Sequence, residues 1–146
     1  MLDKMSYRIC ETQAELYEYA AIHGFAFPRF SDDYLASGLC KRSMDSTYSR
    51  LQLQCPEEIL DFLLPECTSL IENEVAEADR LDGGVAYWIG FTYRQMAFET
   101  GFSSKQLLDI YSFDKMLAMY PGMHTQDPEY VSEVLLEGLK QKGLLN

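Results

Sequence analysis

The chain has 146 residues, 47% of them hydrophobic, and its 23 Asp and Glu against 12 Lys and Arg give a net charge of −11. That length suits a single domain spanning 1–146 with its own core, since a chain of this size buries about 68–70% of its unfolded surface. No window holds the roughly 18 uninterrupted apolar residues of a membrane span, and Met1 to Cys10 is too polar for a secretory signal, so a soluble cytoplasmic protein is expected.

Thr12 and Glu15 have the spacing of a capping box and predict a helix over 13–23, with Gly24 as its left-handed C′ residue. Phe25 to Phe30 reads as an aromatic loop fixed by Pro28. Ser31 can then cap a short helix through Asp32 to Leu35, ended by Gly38. From Met44 to Cys55, Tyr48, Arg50, Gln52 and Gln54 alternate with Ser49, Leu51, Leu53 and Cys55. Period two predicts a half-buried strand, clearest over 47–54. One strand cannot stand alone, so it pairs with a piece such as Ser6 to Ile9 or lies along the helices as irregular chain.

Pro56 followed by Glu57 and Glu58 starts a helix over 57–80, kinked or split at Pro65 and stopped at Gly83-Gly84. The next helix, 85–100, is apolar around nearly its whole circumference and is the expected centre of the molecule. Trp88 should be buried there against the last two helices. Gly90 costs about 1 kcal/mol relative to alanine in mid-helix, which suggests a closely packed neighbour. Gly101 ends this helix, and Ser103 with Gln106 forms a capping box that opens 104–111. A further helix runs from Phe113 to Tyr120, terminated by Pro121-Gly122. Asp127-Pro128-Glu129 opens the last, 128–141, which buries Val131, Val134 or Leu135, and Leu139. The expected fold class is mainly α: a helical bundle around a central buried helix, with at most one small β element.

Cys10, Cys40, Cys55 and Cys67 form no Cys-x-x-Cys pair and read as reduced, mainly buried thiols. Their spacing to His23 or His124 fits no zinc template, so neither a metal nor another cofactor is expected. No glycine-rich phosphate loop, His-Glu-x-x-His or nucleophile elbow occurs. Two candidates for chemistry remain. His124 and Asp127 could form an acid/base or metal pair, although capping of the last helix accounts for Asp127 completely. Arg94 shares a side of its helix with Tyr87, Phe91 and Phe98, opposite Thr92, Gln95 and Glu99. A guanidinium among aromatics needs a carboxylate, carbonyls or a ring face, which gives either a structural salt bridge or an anion site rimmed by Tyr93 and Trp88. Ala97, Gly101, Phe102, Ser103 and Leu107 have the spacing of a helix-turn-helix. The second helix, however, offers bases only Lys105 and Gln106 and also carries Asp109, so nucleic acid is not an expected partner.

Between Glu57 and Asp82 nine acidic residues face one basic residue, Arg80, so this stretch holds −8 of the net charge. Within it, Glu72, Glu74 and Glu77 are the candidate surface for a partner. Such a field attracts a basic protein and repels nucleic acid and anionic membrane, or simply keeps a solvated face soluble.

The stretch Gly83 to Arg94, with Thr100-Gly101, Ser104-Lys105 and His124 to Pro128, resembles a family of small uncharacterised bacterial proteins associated with toxin–antitoxin-type gene clusters. The resemblance implies a regulatory or neutralising role and carries no activity. Similar sequences have Trp-His where this chain has Met96-Ala97. The expected function is therefore a non-enzymatic interaction module, with ten Tyr and eight Phe available as anchors. The alternative is a small enzyme or ligand-binding protein with a pocket around Trp88, Tyr93, Arg94, Glu99, His124 and Asp127. The two readings diverge on whether Arg94 and His124 share one concave site.

Overall fold

Asp3 opens the first helix by accepting from the Ser6 amide (2.7 Å), and α1 then runs unbroken over Lys4–Ile22 in the computed structural model. The structure describes residues 2–72 and 74–146, Glu72 by its backbone alone. The start expected at Thr12 is therefore too late. Thr12 is buried in mid-helix with its hydroxyl on Arg8 O (3.2 Å), and Glu15 turns outward to Arg8 (2.9 Å), so neither is free to cap.

Beyond the aromatic loop, α2 spans Arg29–Leu35, beginning before Ser31. The Ser31 hydroxyl is buried and bonded to Tyr17 Oη (2.8 Å) instead of capping. Gly38 likewise begins a helix where it was expected to end one: α3 is Gly38–Ser43, capped by Ser37.

The expected strand is absent. Residues 50–53 form a short 3-10 helix opened by a reciprocal Ser49–Gln52 capping box. Gln52 is buried and its Nε2 donates to Ser43 O and Ser46 O, both at 3.0 Å. The alternation thus marks one inward amide that ties down a turn. The proposed pairing segment, Ser6 to Ile9, lies within α1. Among the described residues no strand occurs, and Phe25 and Glu74 form an isolated antiparallel bridge.

The acidic segment breaks at Pro65 as expected but does not resume as one helix. It gives α4 (Pro56–Leu63), a short α5 (Ser69–Glu72) and a 3-10 turn over Glu77–Asp79. Leu70 is buried while Ile71, Ala76 and Ala78 are exposed, so no continuous apolar stripe holds a helix there.

Asp82 caps α6, Gly83–Thr100, by accepting from Val85 N (3.1 Å), so the glycine pair lies inside the helix, not before it. The α1–α6 pair is the most extensive in the molecule. Gly90 sits at its closest approach: a Cβ there would stand 2.7 Å from Tyr17 Cγ and 3.0 Å from Gln13 O. Gly101, at φ +78°, ends α6 in the left-handed conformation that glycine adopts without a Cβ clash. The Ser103–Gln106 capping box then opens α7, Ser104–Ile110. Helix α8, Phe113–Met123, passes through Pro121 in its last turn. Pro121 is exposed, so solvent can satisfy the carbonyl its missing donor leaves free. Asp127 caps α9, Pro128–Gln141, which buries Val131, Leu135 and Leu139 and leaves Val134 exposed. One core cluster links residues from α1 to α9. No helix among the described residues is long and apolar enough to cross a membrane.

Candidate functional site

Arg94 lies on the face of α6 that meets α1 and is 1% exposed. Its Nε and Nη2 donate to Gln13 Oε1 (3.0 and 2.9 Å), Nη1 to Asp45 Oδ1 (2.9 Å) and Met44 O (3.2 Å), and Nη2 to Ser104 Oγ (2.7 Å). The partners are themselves fixed. Gln13 Oε1 also accepts from Tyr34 Oη (2.9 Å), while its Nε2 donates to Gly90 O (2.8 Å). Asp45 accepts from the Ser104 hydroxyl (2.6 Å) and amide (3.1 Å). Every guanidinium nitrogen thus has an acceptor within the protein, as a buried charge requires.

Burial opposes the charge of Arg94, yet its surroundings hold the guanidinium above its ordinary value. Burial also pushes the Cys40 thiol and the Tyr34 phenol up, so both are neutral at pH 7 and Asp45 supplies the balancing charge. The Cys10 thiol is pushed up to about 12, chiefly by burial. A thiol held protonated is a poor nucleophile. This centre joins α1, α3, α6 and α7 through one hydrogen-bonded network.

The other residues singled out from the sequence are dispersed. Tyr93 is buried, its hydroxyl on Tyr111 O (2.6 Å), and Tyr111 Oη continues to Leu135 O (3.1 Å), so Tyr93 helps fasten α9 to α6. Glu99 is half-buried in the last turn of α6. His124 ends α8, exposed, stacked on Tyr120 (4.2 Å between centroids, 15° between planes) with Nδ1 2.8 Å from Tyr120 O. Asp127 accepts from Glu129 N (2.8 Å) as a helix cap. Arg94 and His124 line different cavities. Lys105, in the helix-turn-helix-like segment, lies 3.9 Å from Asp109. Among the described residues no group of three His, Cys, Asp or Glu side chains could hold a metal ion.

The concave surface that does include His124 is a cleft of about 280 Å³ between α6 and the α8–α9 turn, with Tyr7 of α1 at one end. Trp88 lines it half-buried, edge-on to Tyr120 (5.8 Å, 75°), and so is less enclosed than its helix pattern predicts. Tyr7, 44% exposed, meets Phe91 edge-on (5.2 Å, 70°). Tyr87 and Thr92 complete the walls, and Gln95, 4% exposed, lies deeper. Gln95 Nε2 donates to Pro128 O (2.7 Å). A backbone carbonyl only accepts, so this contact fixes the amide orientation and leaves Oε1 as the acceptor, with no donor among the described residues.

Of the residues singled out from the sequence, Trp88 and His124 line this cleft, whereas Tyr7, Tyr87, Gln95 and Tyr120 were not singled out as a group. Trp88, Thr92 and Gln95 do recur at helical spacing. Tyr7 and Tyr120, however, come from helices that no local pattern brings together.

The acidic segment sits at the far end of α1. Arg80 donates to Ile22 O (2.9 Å) and approaches Glu74 (3.9 Å), while Glu74 and Glu77 are exposed. The Glu72 side chain lies outside the described residues. Compared with known proteins, the chain matches no family model, and no curated protein or solved structure shows significant similarity to it.

Proposed function

We propose that the chain is a non-enzymatic interaction module, regulatory or antitoxin-like in role, that takes a basic protein as its partner in the bacterial cytoplasm. One observation carries the reading. Arg94, the charged residue best placed for chemistry, is enclosed and saturated by Gln13, Asp45 and Ser104. The molecule is strongly acidic, and one of its concave surfaces is an aromatic cleft. Exposed aromatics anchor protein contacts, and an opposite net charge speeds encounter. The regulatory role rests on the sequence resemblance. The alternative pocket around Arg94, Tyr93 and His124 has no support from the geometry, because the three do not converge.

The test is capture of a stoichiometric partner from cells, followed by association rates of the purified pair at two salt concentrations. The E74K/E77K variant should associate more slowly, and salt should slow the unaltered protein, because exposed charges are screened beyond about 10 Å at 0.1 M. Thermal stability should hardly change, since each exposed charge contributes about 0–1 kcal/mol. Equal, salt-independent rates would overturn the charge-guided reading.

A further inference from the structure

The cleft has three properties that together select one kind of group. Its walls are ring surfaces from Tyr7, Tyr87, Trp88, Phe91 and Tyr120, whose π faces attract cations. Gln95 supplies a carbonyl oxygen that accepts nothing from the described chain, and so can take an N–H donor. Carboxylates flank the lining residues. Asp82 Oδ2 lies 3.1 Å from where a Cβ on the lining Gly84 would stand. Asp127 is the sequence neighbour of the lining residue Pro128 and follows Gln126, which also lines the cleft. Glu11, Glu15 and Glu18 of α1 all act electrostatically on Tyr87. Arg8, which also interacts electrostatically with Tyr87, is already engaged by Glu15 (2.9 Å) and Glu11 (3.8 Å).

The geometry points to this cleft as the receptor for one arginine side chain of the basic partner, an inference that rests on the interaction reading above. An anion would meet π faces and no Lys or Arg among the lining residues, and a wholly apolar group would leave Gln95 Oε1 unmatched. At about 280 Å³ the cleft falls just below the roughly 300–1,000 Å³ of small-molecule sites, which suits a single long side chain. Arginine fits better than lysine. Its planar guanidinium stacks on a ring while its edge donates to a carbonyl, whereas an ammonium is a compact, strongly hydrated point charge.

Trp88 is the sole tryptophan, so its emission reports on the cleft directly. The probes are an acetylated, amidated Gly-Arg-Gly-Arg-Gly peptide, the same peptide with lysine or with citrulline in place of arginine, and tetramethylammonium chloride. The arginine peptide should change Trp88 emission saturably. The lysine peptide should bind about tenfold more weakly, and citrulline, which keeps the shape and loses the charge, should give no saturable change. Tyr87→Leu and Tyr120→Leu should each weaken the arginine peptide about tenfold. If Tyr120→Leu melts early, Tyr87→Leu decides.

Equal binding of the citrulline peptide would overturn cation recognition. A response to tetramethylammonium without one to the arginine peptide would overturn the choice of arginine. Saturable peptide binding that leaves both Trp88 emission and the Tyr87→Leu affinity unmoved would place the peptide elsewhere. In that case the cleft inference fails while the interaction reading stands. Failure of the interaction reading shows separately, as salt-independent association with the captured partner.

Discussion

Replacing Arg94 by methionine keeps most of the side-chain length and withdraws the guanidinium from Gln13, Asp45, Ser104 and the Met44 carbonyl. Removing one partner of a buried ion pair costs about 3–5 kcal/mol, because the other charge is stranded. Here the stranded group is Asp45, whose side chain is 15% exposed and keeps both bonds from Ser104. Those bonds place the loss near the lower end, about 3 kcal/mol, which for a chain of this size lowers the melting temperature by about 10 °C. Gln13 loses its cation but retains Tyr34, so its share is smaller. Adding Asp45→Ala removes the stranded charge, and the double variant should be no less stable than Arg94→Met alone. The assays are urea unfolding and thermal melting followed by circular dichroism for the wild type, both single variants and the double. A ligand-binding arginine held ready for an anion would behave differently, with its removal leaving stability unchanged or raised. A melting temperature within about 2 °C of wild type would refute the structural role assigned to Arg94.

Gly90→Ala gains about 1 kcal/mol of helix propensity but sets a methyl 2.7 Å from Tyr17 Cγ and 3.0 Å from Gln13 O, where overpacking costs about 1–3 kcal/mol. Denaturant unfolding should show net destabilisation, and a more stable variant would mean that α1 and α6 do not meet there. Stability should be full below pH 9.0 and fall as the pH climbs toward 12, because the folded Cys10 thiol is raised from 9.0 to about 12 and the unfolded thiol ionises first. Each such group steepens the loss by about 1.4 kcal/mol per pH unit, so Cys10→Ala should flatten the alkaline limb of the stability profile. A thiol reagent should modify exposed Cys55 in the native protein and reach buried Cys10 and Cys40 only on unfolding. Rapid native reaction of all four would contradict the packing of α1 against α6 and the burial of Cys40.

What was legible in the sequence was local. Asp127-Pro128, Ser103 with Gln106, and Gly101 mark their helix ends because each signal acts within one turn and nothing else competes for those side chains. The errors occur where a partner beyond the local turn claims the signalling residue. Ser31 is taken by Tyr17, Glu15 by Arg8 and Gln52 by the Ser43 and Ser46 carbonyls. The Gly83-Gly84 pair misleads differently, because Asp82 ahead of it supplies a cap strong enough to start a helix on two glycines. For Arg94, desolvation physics alone anticipates a salt bridge, but naming Asp45, Gln13 and Ser104 requires knowing which helices meet. The same limit hid the cleft.

The surplus of aromatic residues can be divided by the state of their hydroxyls. Tyr17, Tyr34, Tyr93 and Tyr111 are buried, and each phenol bonds inside the protein: to Ser31, Gln13, Tyr111 O and Leu135 O in turn. A buried phenol without a partner would be costly, so these four are bound to the fold, and their rings serve its core. Tyr7, Tyr87 and Tyr120 make no hydroxyl bond among the described residues, and all three line one cleft with Trp88. Tyr19, half-buried and stacked on His23, and the exposed Tyr48 and Tyr130 lie outside it. Three tyrosines with free polar tips, a half-buried tryptophan and flanking carboxylates combine ring area with exposed polar edges, the composition that interface anchors require. A helix face selected only for packing would turn those rings inward and satisfy their hydroxyls there, as the neighbouring face of α6 does with Tyr93.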